Sequence, residues 1–134
     1  MPKILVADPI GAEGVDLLKT HAEVDVKTGM KPPELLAIIA DYEGLVVRSE
    51  TKVTKEVIEA AKKLQVVGRA GIGVDNIDLE AATAAGIAVV NAPTGNTVAA
   101  AEHTMALMLA LSRNVPAAHQ SLKAGEWKRS AFMG

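Results

Sequence analysis

Glycine and arginine share the most chemically suggestive stretch of the sequence, Gly68-Arg69-Ala70-Gly71-Ile72-Gly73-Val74-Asp75-Asn76-Ile77-Asp78. Glycines at 68, 71 and 73 let backbone N–H groups approach a ligand closely. A helix N-terminus expected just beyond adds the positive end of its dipole. Arg69 contributes a forked donor suited to a carboxylate or a phosphate. The combination predicts a small-anion site; the alternative is a glycine-rich turn that only fits a helix tightly against a sheet. It is not a dinucleotide fingerprint. Gly71-x-Gly73 supplies the first two glycines, but Asn76 stands where the third is needed, and the next strand ends at Val90-Asn91 with no acid for a ribose.

A second candidate stands at Val47-Arg48-Ser49, where an arginine and a hydroxyl follow an apolar run. Beside the loop of Arg69 they could converge on one anion; taken alone, Arg48 also reads as a solvated surface arginine. Asn96 precedes a long apolar stretch. There it either caps a helix or turns its amide toward a substrate oxygen. Arg48, Ser49, Arg69, Asn96 and free backbone amides would thus meet at one sheet edge, and their coincidence carries more than any one of them. The histidines promise less. His21 closes a helical stretch where a cation suits the dipole, His103 neighbours Glu102 on a helix where adjacent residues point apart, and His119 lies on a polar helix. No carboxylate pair, Ser-His-Asp set or metal cluster has a recognisable spacing, so no catalytic or metal-binding residue is assigned.

Those loops need a scaffold, and the apolar runs supply it. Ile4 to Ala7 predicts a buried strand ended by Asp8-Pro9. Ala12 to Lys19 predicts a short helix with Val15, Leu17 and Leu18 on one face, and Val24 with Val26 marks a second strand. Pro32-Pro33 opens a helix through Ile39, Gly44 to Val47 is a third strand, and Thr54 reads as the cap of a helix over 55–63. A strand over Leu64 to Val67, a helix from Leu79 to Ala85 stopped by Gly86, and a strand over Ile87 to Val90 complete the series. Five strands separated by four helices predict an α/β fold with a flavodoxin-like, doubly wound parallel sheet of order 2-1-3-4-5. Ligands of such sheets bind beyond the carboxyl ends of the strands, where both arginines fall. A phosphorylation receiver would need an aspartate where Val47-Arg48 stand, and a flavodoxin a Ser/Thr/Gly loop where Asp8-Pro9-Ile10-Gly11 stand.

Composition narrows the class further. The 134 residues, 49% hydrophobic and 22% charged, are one domain's worth of protein with a small appendage. Absence of cysteine removes disulfides, thiolate metal sites and cysteine nucleophiles. Fourteen Lys+Arg against sixteen Asp+Glu leave a net charge of −2 with no basic run, which argues against nucleic acid. Tyr42, Trp127 and Phe132 are the whole aromatic set, too few for a stacking platform. No apolar run approaches the roughly 20 residues of a membrane span, and no signal peptide is read at the N-terminus. A cytoplasmic protein with neither nucleic-acid nor membrane partner is expected.

After Asn91-Ala92-Pro93-Thr94-Gly95 the character changes. Asn96 or Thr97 is expected to cap a helix over Val98 to Arg113 that is apolar or small nearly all round. Such a helix must be covered on most sides, which implies a missing domain or a second subunit. Pro116 is expected to interrupt, with a polar helix from Ala117 to Lys123 after it, and the chain reads as one that stops early.

Val47-Arg48-Ser49-x-Thr51-Lys52-Val53-Thr54, then Val67 to Asp78, then Asn91-Ala92-Pro93-x-Gly95-Asn96-Thr97 and Ala101-Glu102-His103 together resemble the D-isomer-specific 2-hydroxyacid dehydrogenases. The resemblance runs from Lys3 to Gly134. It implies NAD-dependent oxidation of a small phosphohydroxyacid, 3-phosphoglycerate to 3-phosphohydroxypyruvate, at the entry to serine synthesis. It also implies a substrate-binding domain over 1–96 that lacks its C-terminal return segment. The interface helix and the start of a nucleotide-binding domain would occupy 97–134. Arg48, Ser49, Arg69 and Asn96 resemble the positions that hold the substrate's phosphate and hydroxyacid end. The amides of Ala70, Gly71 and Ile72 resemble the carboxylate cradle, and Ile72 also lies against the nicotinamide in such enzymes. NAD then belongs to the full-length parent, with none expected to bind this piece tightly and the piece itself inactive. A homodimer through Val98 to Arg113 is expected, by pairing or by exchange of the helix. The competing readings are a self-associating structural fragment and a small-anion module without catalysis.

Overall fold

Branched side chains dominate the four-residue strands, and their alternation decides which face of the sheet is core. The computed structural model describes residues 1–133 and divides into two units, Met1–Gly95 and Asn96–Gly134. The first unit holds β1 (Lys3–Val6), α1 (Ala12–Lys19), β2 (Glu23–Val26), α2 (Pro32–Ile38) with a 3₁₀ turn (Ile39–Asp41), β3 (Gly44–Val47), α3 (Lys55–Ala60), β4 (Val66–Arg69), α4 (Leu79–Ala84) and β5 (Ala88–Asn91). The strands form one parallel sheet of order β2-β1-β3-β4-β5, as the sequence predicts.

Register sorts the side chains into rows. Leu5, Leu45, Val67 and Val89 lie level across four strands. That row packs into the core with Leu35 of α2, Val57 and Ile58 of α3, and Ala82 of α4. The neighbouring row of Val26, Val6, Val46, Gly68 and Val90 points to the opposite face. It runs from fully buried Val6 to Val90, which is 54% exposed. Tyr42 is buried in the core, yet its hydroxyl donates to Asp25 Oδ2 at 2.6 Å, and Lys3 Nζ lies 5.1 Å from its ring centre. Burial first, and then the Asp25 carboxylate, push the Tyr42 hydroxyl up to about 12.

Most element boundaries differ from the sequence expectation by a residue or two, and β4 and α3 differ for a physical reason. β4 begins at Val66 rather than Leu64 and runs on through Gly68 and Arg69, which pair with Val46 and Val47. Leu64 instead turns its amide onto the Ala61 carbonyl at 3.2 Å and buries its side chain. α3 stops at Ala60 rather than Lys63, because Ala61 leaves the helical region (φ −81°, ψ 74°). Thr54 stands at the N-cap of α3 without a side-chain cap bond; its hydroxyl pairs with the Glu56 carboxylate and holds that acid below its usual range. The fifth strand ends one residue later than expected, at Asn91. Gly86 stops α4 with φ +70°, a conformation that glycine adopts at no steric cost.

The second unit contains α5 (Thr97–Ser112), α6 (Val115–Lys123) and a 3₁₀ turn (Arg129–Phe132). Pro116 does not interrupt a helix. It sits in the first turn of α6, where a missing N–H costs nothing, and the break falls at left-handed Asn114 (φ 52°). No residue of α5 is buried, and Met105, Leu107, Met108, Leu109 and Leu111 are all exposed. No helix among the described residues is long and apolar enough to cross a membrane.

Candidate functional site

Arg69 is the last residue of β4 and lies level with Val47, so β3 and β4 end side by side and release the Arg48 loop and the glycine loop together. What shapes the first of these loops is a residue from a third strand. Asp8, just beyond β1, is 1% exposed and aims its carboxylate into the β3–α3 turn. It accepts from the Arg48 amide at 2.6 Å, from the Thr51 amide at 3.1 Å and from the Thr51 hydroxyl at 2.5 Å. Burial pushes the Asp8 carboxyl up. The Thr51 hydroxyl and the amides of Arg48, Thr51 and Glu50 outweigh it and hold the group below the usual carboxylate range.

The carbonyl side of the same loop is gripped from the glycine loop. Asn76 Nδ2 donates to the carbonyls of Arg48 and Thr51, both at 2.7 Å, while its Oδ1 accepts from Arg69 Nε at 2.9 Å. One asparagine therefore ties the main chain of one arginine to the side chain of the other. Backbone bonds from Val53 N to Asn76 O (2.8 Å) and from Asp78 N to Val53 O (2.9 Å) seat it. Arg48 and Ser49 remain exposed, and Arg48 Nη1 reaches the Pro9 carbonyl at 3.3 Å. The Arg69 side chain is only 12% exposed, and its Nη2 lies 3.9 Å from the exposed Asp75 carboxylate, a pair worth little in water.

The glycine loop offers fewer free amides than its composition suggests. Ala70 N donates to Val47 O at 2.8 Å and Gly71 N to Arg69 O at 2.9 Å, so of the three expected cradle amides only that of Ile72 lacks a partner among the described residues. The loop is held to the end of β5 by Ala92 N on Gly71 O (3.0 Å) and Asn91 Nδ2 on Ile72 O (2.7 Å). Gly71 has a steric reason to be glycine, because a Cβ there would collide with Arg69 Nη1. That atom is the tip of a flexible side chain. Gly71→Ala should therefore cost less than about 1 kcal/mol of unfolding free energy in a denaturant titration, while a ¹⁵N spectrum shows the Arg69 Nε–H signal displaced from its Asn76-bonded position.

The dinucleotide pyrophosphate does not fit this loop. Asn76 fills the position of the third glycine with a fully engaged amide, and the next helix, α4, starts at Leu79. Its N-cap is Asp78, whose carboxylate accepts from Ala81 N at 2.9 Å and would repel a phosphate. Ile72 is 40% exposed at the loop's tip. Asn96 occupies the N-cap of α5 and makes no side-chain cap bond. It opens the second unit, whereas Arg48, Ser49, Arg69, Ala70, Gly71 and Ile72 all belong to the first. Among the described residues no group of three or more His, Asp or Glu side chains could hold a metal ion.

Asp8, Thr51 and Asn76 escape the sequence reading. Asp8 reads there as the end of a strand and Asn76 as a failed glycine. The available signal is an acid placed directly after four apolar residues of a buried parallel strand, where it needs donors from a neighbouring loop.

The sheet is that of a doubly wound α/β domain, with Arg48 and Arg69 at its carboxyl edge. The family described as D-isomer specific 2-hydroxyacid dehydrogenase, catalytic domain, matches residues 4–129, and the chain belongs to that family. It is similar to a D-3-phosphoglycerate dehydrogenase of Methanocaldococcus jannaschii, 57% identical over 134 residues, covering 100% of this chain and 26% of the relative. The corresponding figures for the D-3-phosphoglycerate dehydrogenase of Synechocystis are 52%, 100% and 24%. Among solved structures, the cofactor(NAD+)-bound 3-phosphoglycerate dehydrogenase of Entamoeba histolytica superposes with a TM-score of 0.71 and 33% identity, over 81% of this chain and 38% of that one. The chain thus spans about a quarter of the length of the curated relatives it matches.

Proposed function

We propose that this chain forms the substrate-binding part of an NAD-dependent D-3-phosphoglycerate dehydrogenase, in which Arg48, Ser49 and Arg69 hold the anionic substrate. The observation that carries the reading is the clamp by which Asn76 ties the main chain of Arg48 to the side chain of Arg69 at the sheet's carboxyl edge. A phosphohydroxyacid has two anionic ends, which suits two guanidinium groups beside a free amide at Ile72. Asn96 and the contact of Ile72 with a nicotinamide enter this reading through family resemblance alone. On this reading residues 1–96 are the substrate domain and 97–134 lead into the nucleotide domain. NAD and the acid–base groups for hydride transfer belong to the remainder of the longer protein. The 134-residue chain alone binds substrate and does not turn it over, because transfer needs the nicotinamide in contact with the substrate carbon and a base beside it.

An amide NMR titration of the chain with 3-phosphoglycerate, with NAD in parallel, tests this. Shifts confined to Arg48, Ser49 and 69–76 with NAD silent would support it, and a dispersed spectrum that does not move would overturn it. The bare apolar surface of α5 favours a second reading, a self-associating piece in which two copies pair or exchange that helix. A monomeric mass in solution would sink that one, and NADH formation above background would sink the claim of inactivity.

A further inference from the structure

The Asn76 side chain makes three hydrogen bonds and spends them all on the two arginine loops. Its amide donates to the carbonyls of Arg48 and Thr51, and its oxygen accepts from Arg69 Nε. Asp8 holds the opposite, N–H side of the same Arg48–Thr51 turn. With both edges of the turn taken, its backbone has nothing left for a ligand at 48 and 51, and the exposed side chains of Arg48, Ser49 and Glu50 are what it presents, the two donors being Arg48 and Ser49. At Arg69 the result is similar. Nε is occupied by Asn76, which fixes the plane of the guanidinium and leaves the Nη groups as the donors for an incoming anion.

We propose that Asn76 is a positioning residue, which presets the spacing of Arg48 and Arg69 so that both meet one anionic ligand without reorganising. It does not touch the ligand itself. The proposal rests on the anion-binding reading above and adds to it the reason for an asparagine at this place. A long arginine side chain loses considerable rotamer freedom when it binds. An arginine already held at Nε has lost much of it before the ligand arrives, and affinity rises accordingly. Alanine at 76 frees Arg69 and releases two loop carbonyls to water. Aspartate at 76 keeps the acceptor for Arg69, turns oxygen lone pairs toward the carbonyls of Arg48 and Thr51, and adds a negative charge beside the site.

The test combines two readouts on the 134-residue chain and its Asn76→Ala and Asn76→Asp variants. One is solvent exchange of the Arg69 Nε–H in ¹⁵N spectra, and the other is titration with 3-phosphoglycerate. In the parent chain the Nε–H should exchange slowly. Asn76→Ala should lose that protection and bind roughly tenfold more weakly, while core amides such as those of Leu45 and Val67 keep their positions. Asn76→Asp should retain protection and still bind more weakly. Protection unchanged in Asn76→Ala, or lost without loss of affinity, would overturn the positioning role while leaving the anion site intact. Failure of both variants to fold would also overturn it, since the residue would then serve the fold and not the site. A parent chain that protects Arg69 but does not bind 3-phosphoglycerate would overturn the anion-binding reading, and this proposal with it.

Discussion

Asp8→Ala should cost the first unit about 2–4 kcal/mol of stability, measured as a shift in denaturant midpoint at constant slope. The carboxylate is buried and receives hydrogen bonds from the Arg48 amide, the Thr51 amide and the Thr51 hydroxyl. Truncation leaves those donors facing a small cavity with nothing to accept them, and each orphaned group carries its own desolvation cost. A domain of this size has only about 5–15 kcal/mol in all, so the loss would be visible in any equilibrium experiment. The effect should also depend on pH with a definite sign. Asp8 titrates below the usual carboxylate range in the folded chain and within it when unfolded. Its contribution is therefore complete above the ordinary carboxylate pKa and disappears as pH falls through the lower, folded value. Asp8→Asn should remove that part of the acid sensitivity, and a variant whose acid transition matches the parent's would contradict the assignment.

Arg69→Lys should weaken binding of 3-phosphoglycerate by roughly tenfold or more, and Arg48→Lys by distinctly less. Both substitutions keep the charge, so the contrast comes from geometry. Lysine has no Nε–H to give Asn76 and no planar fork, and the Arg69 side chain is almost fully enclosed where that fork is held. Arg48 is exposed, and its place is set by its backbone, which lysine would share. Isothermal titration at two salt concentrations separates the cases. Arg48→Lys should preserve the salt dependence, because a screened point charge is retained. Affinity retained in both variants would show that charge alone governs the site, and equal losses would show that the Asn76 contact gives Arg69 no special part in it.

The parallel sheet was readable from the sequence because its evidence is redundant. Short apolar runs around Leu5, Leu45 and Val67 recur between helical stretches, and only a few topologies accommodate that order. The arginines and the glycine loop were readable as well, since their residue types have few uses at the end of a strand. What stayed hidden were contacts between residues far apart in the chain. Asp8 and Thr51 are 43 positions apart, and Asn76 and Arg48 are 28 apart, so no local pattern announces either bond. For the same reason the local pattern puts β4 two residues too early. Gly68 and Arg69 look like loop residues until Val46 and Val47 arrive beside them, and tertiary pairing then overrides local preference. The amides of Ala70 and Gly71 carry a related lesson: glycine gives access to backbone donors, but neighbouring carbonyls can claim them first.

The scarcity of aromatic residues has a practical side. Tyr42, the sole tyrosine, belongs to the first unit, and Trp127, the sole tryptophan, belongs to the second. Each unit therefore carries its own optical label without any engineering. Trp127 is largely exposed, so its emission should move to shorter wavelength when a partner covers the surface around it. Tyr42 reports differently. Burial and the Asp25 carboxylate push its hydroxyl up to about 12 while the first unit is folded, and opening the chain removes both causes. Tyrosinate formed at lower pH than in the folded chain thus marks an opened first unit, and fluorescence excited at tryptophan follows association of the second. One unmodified sample would tell a folding defect from an assembly defect.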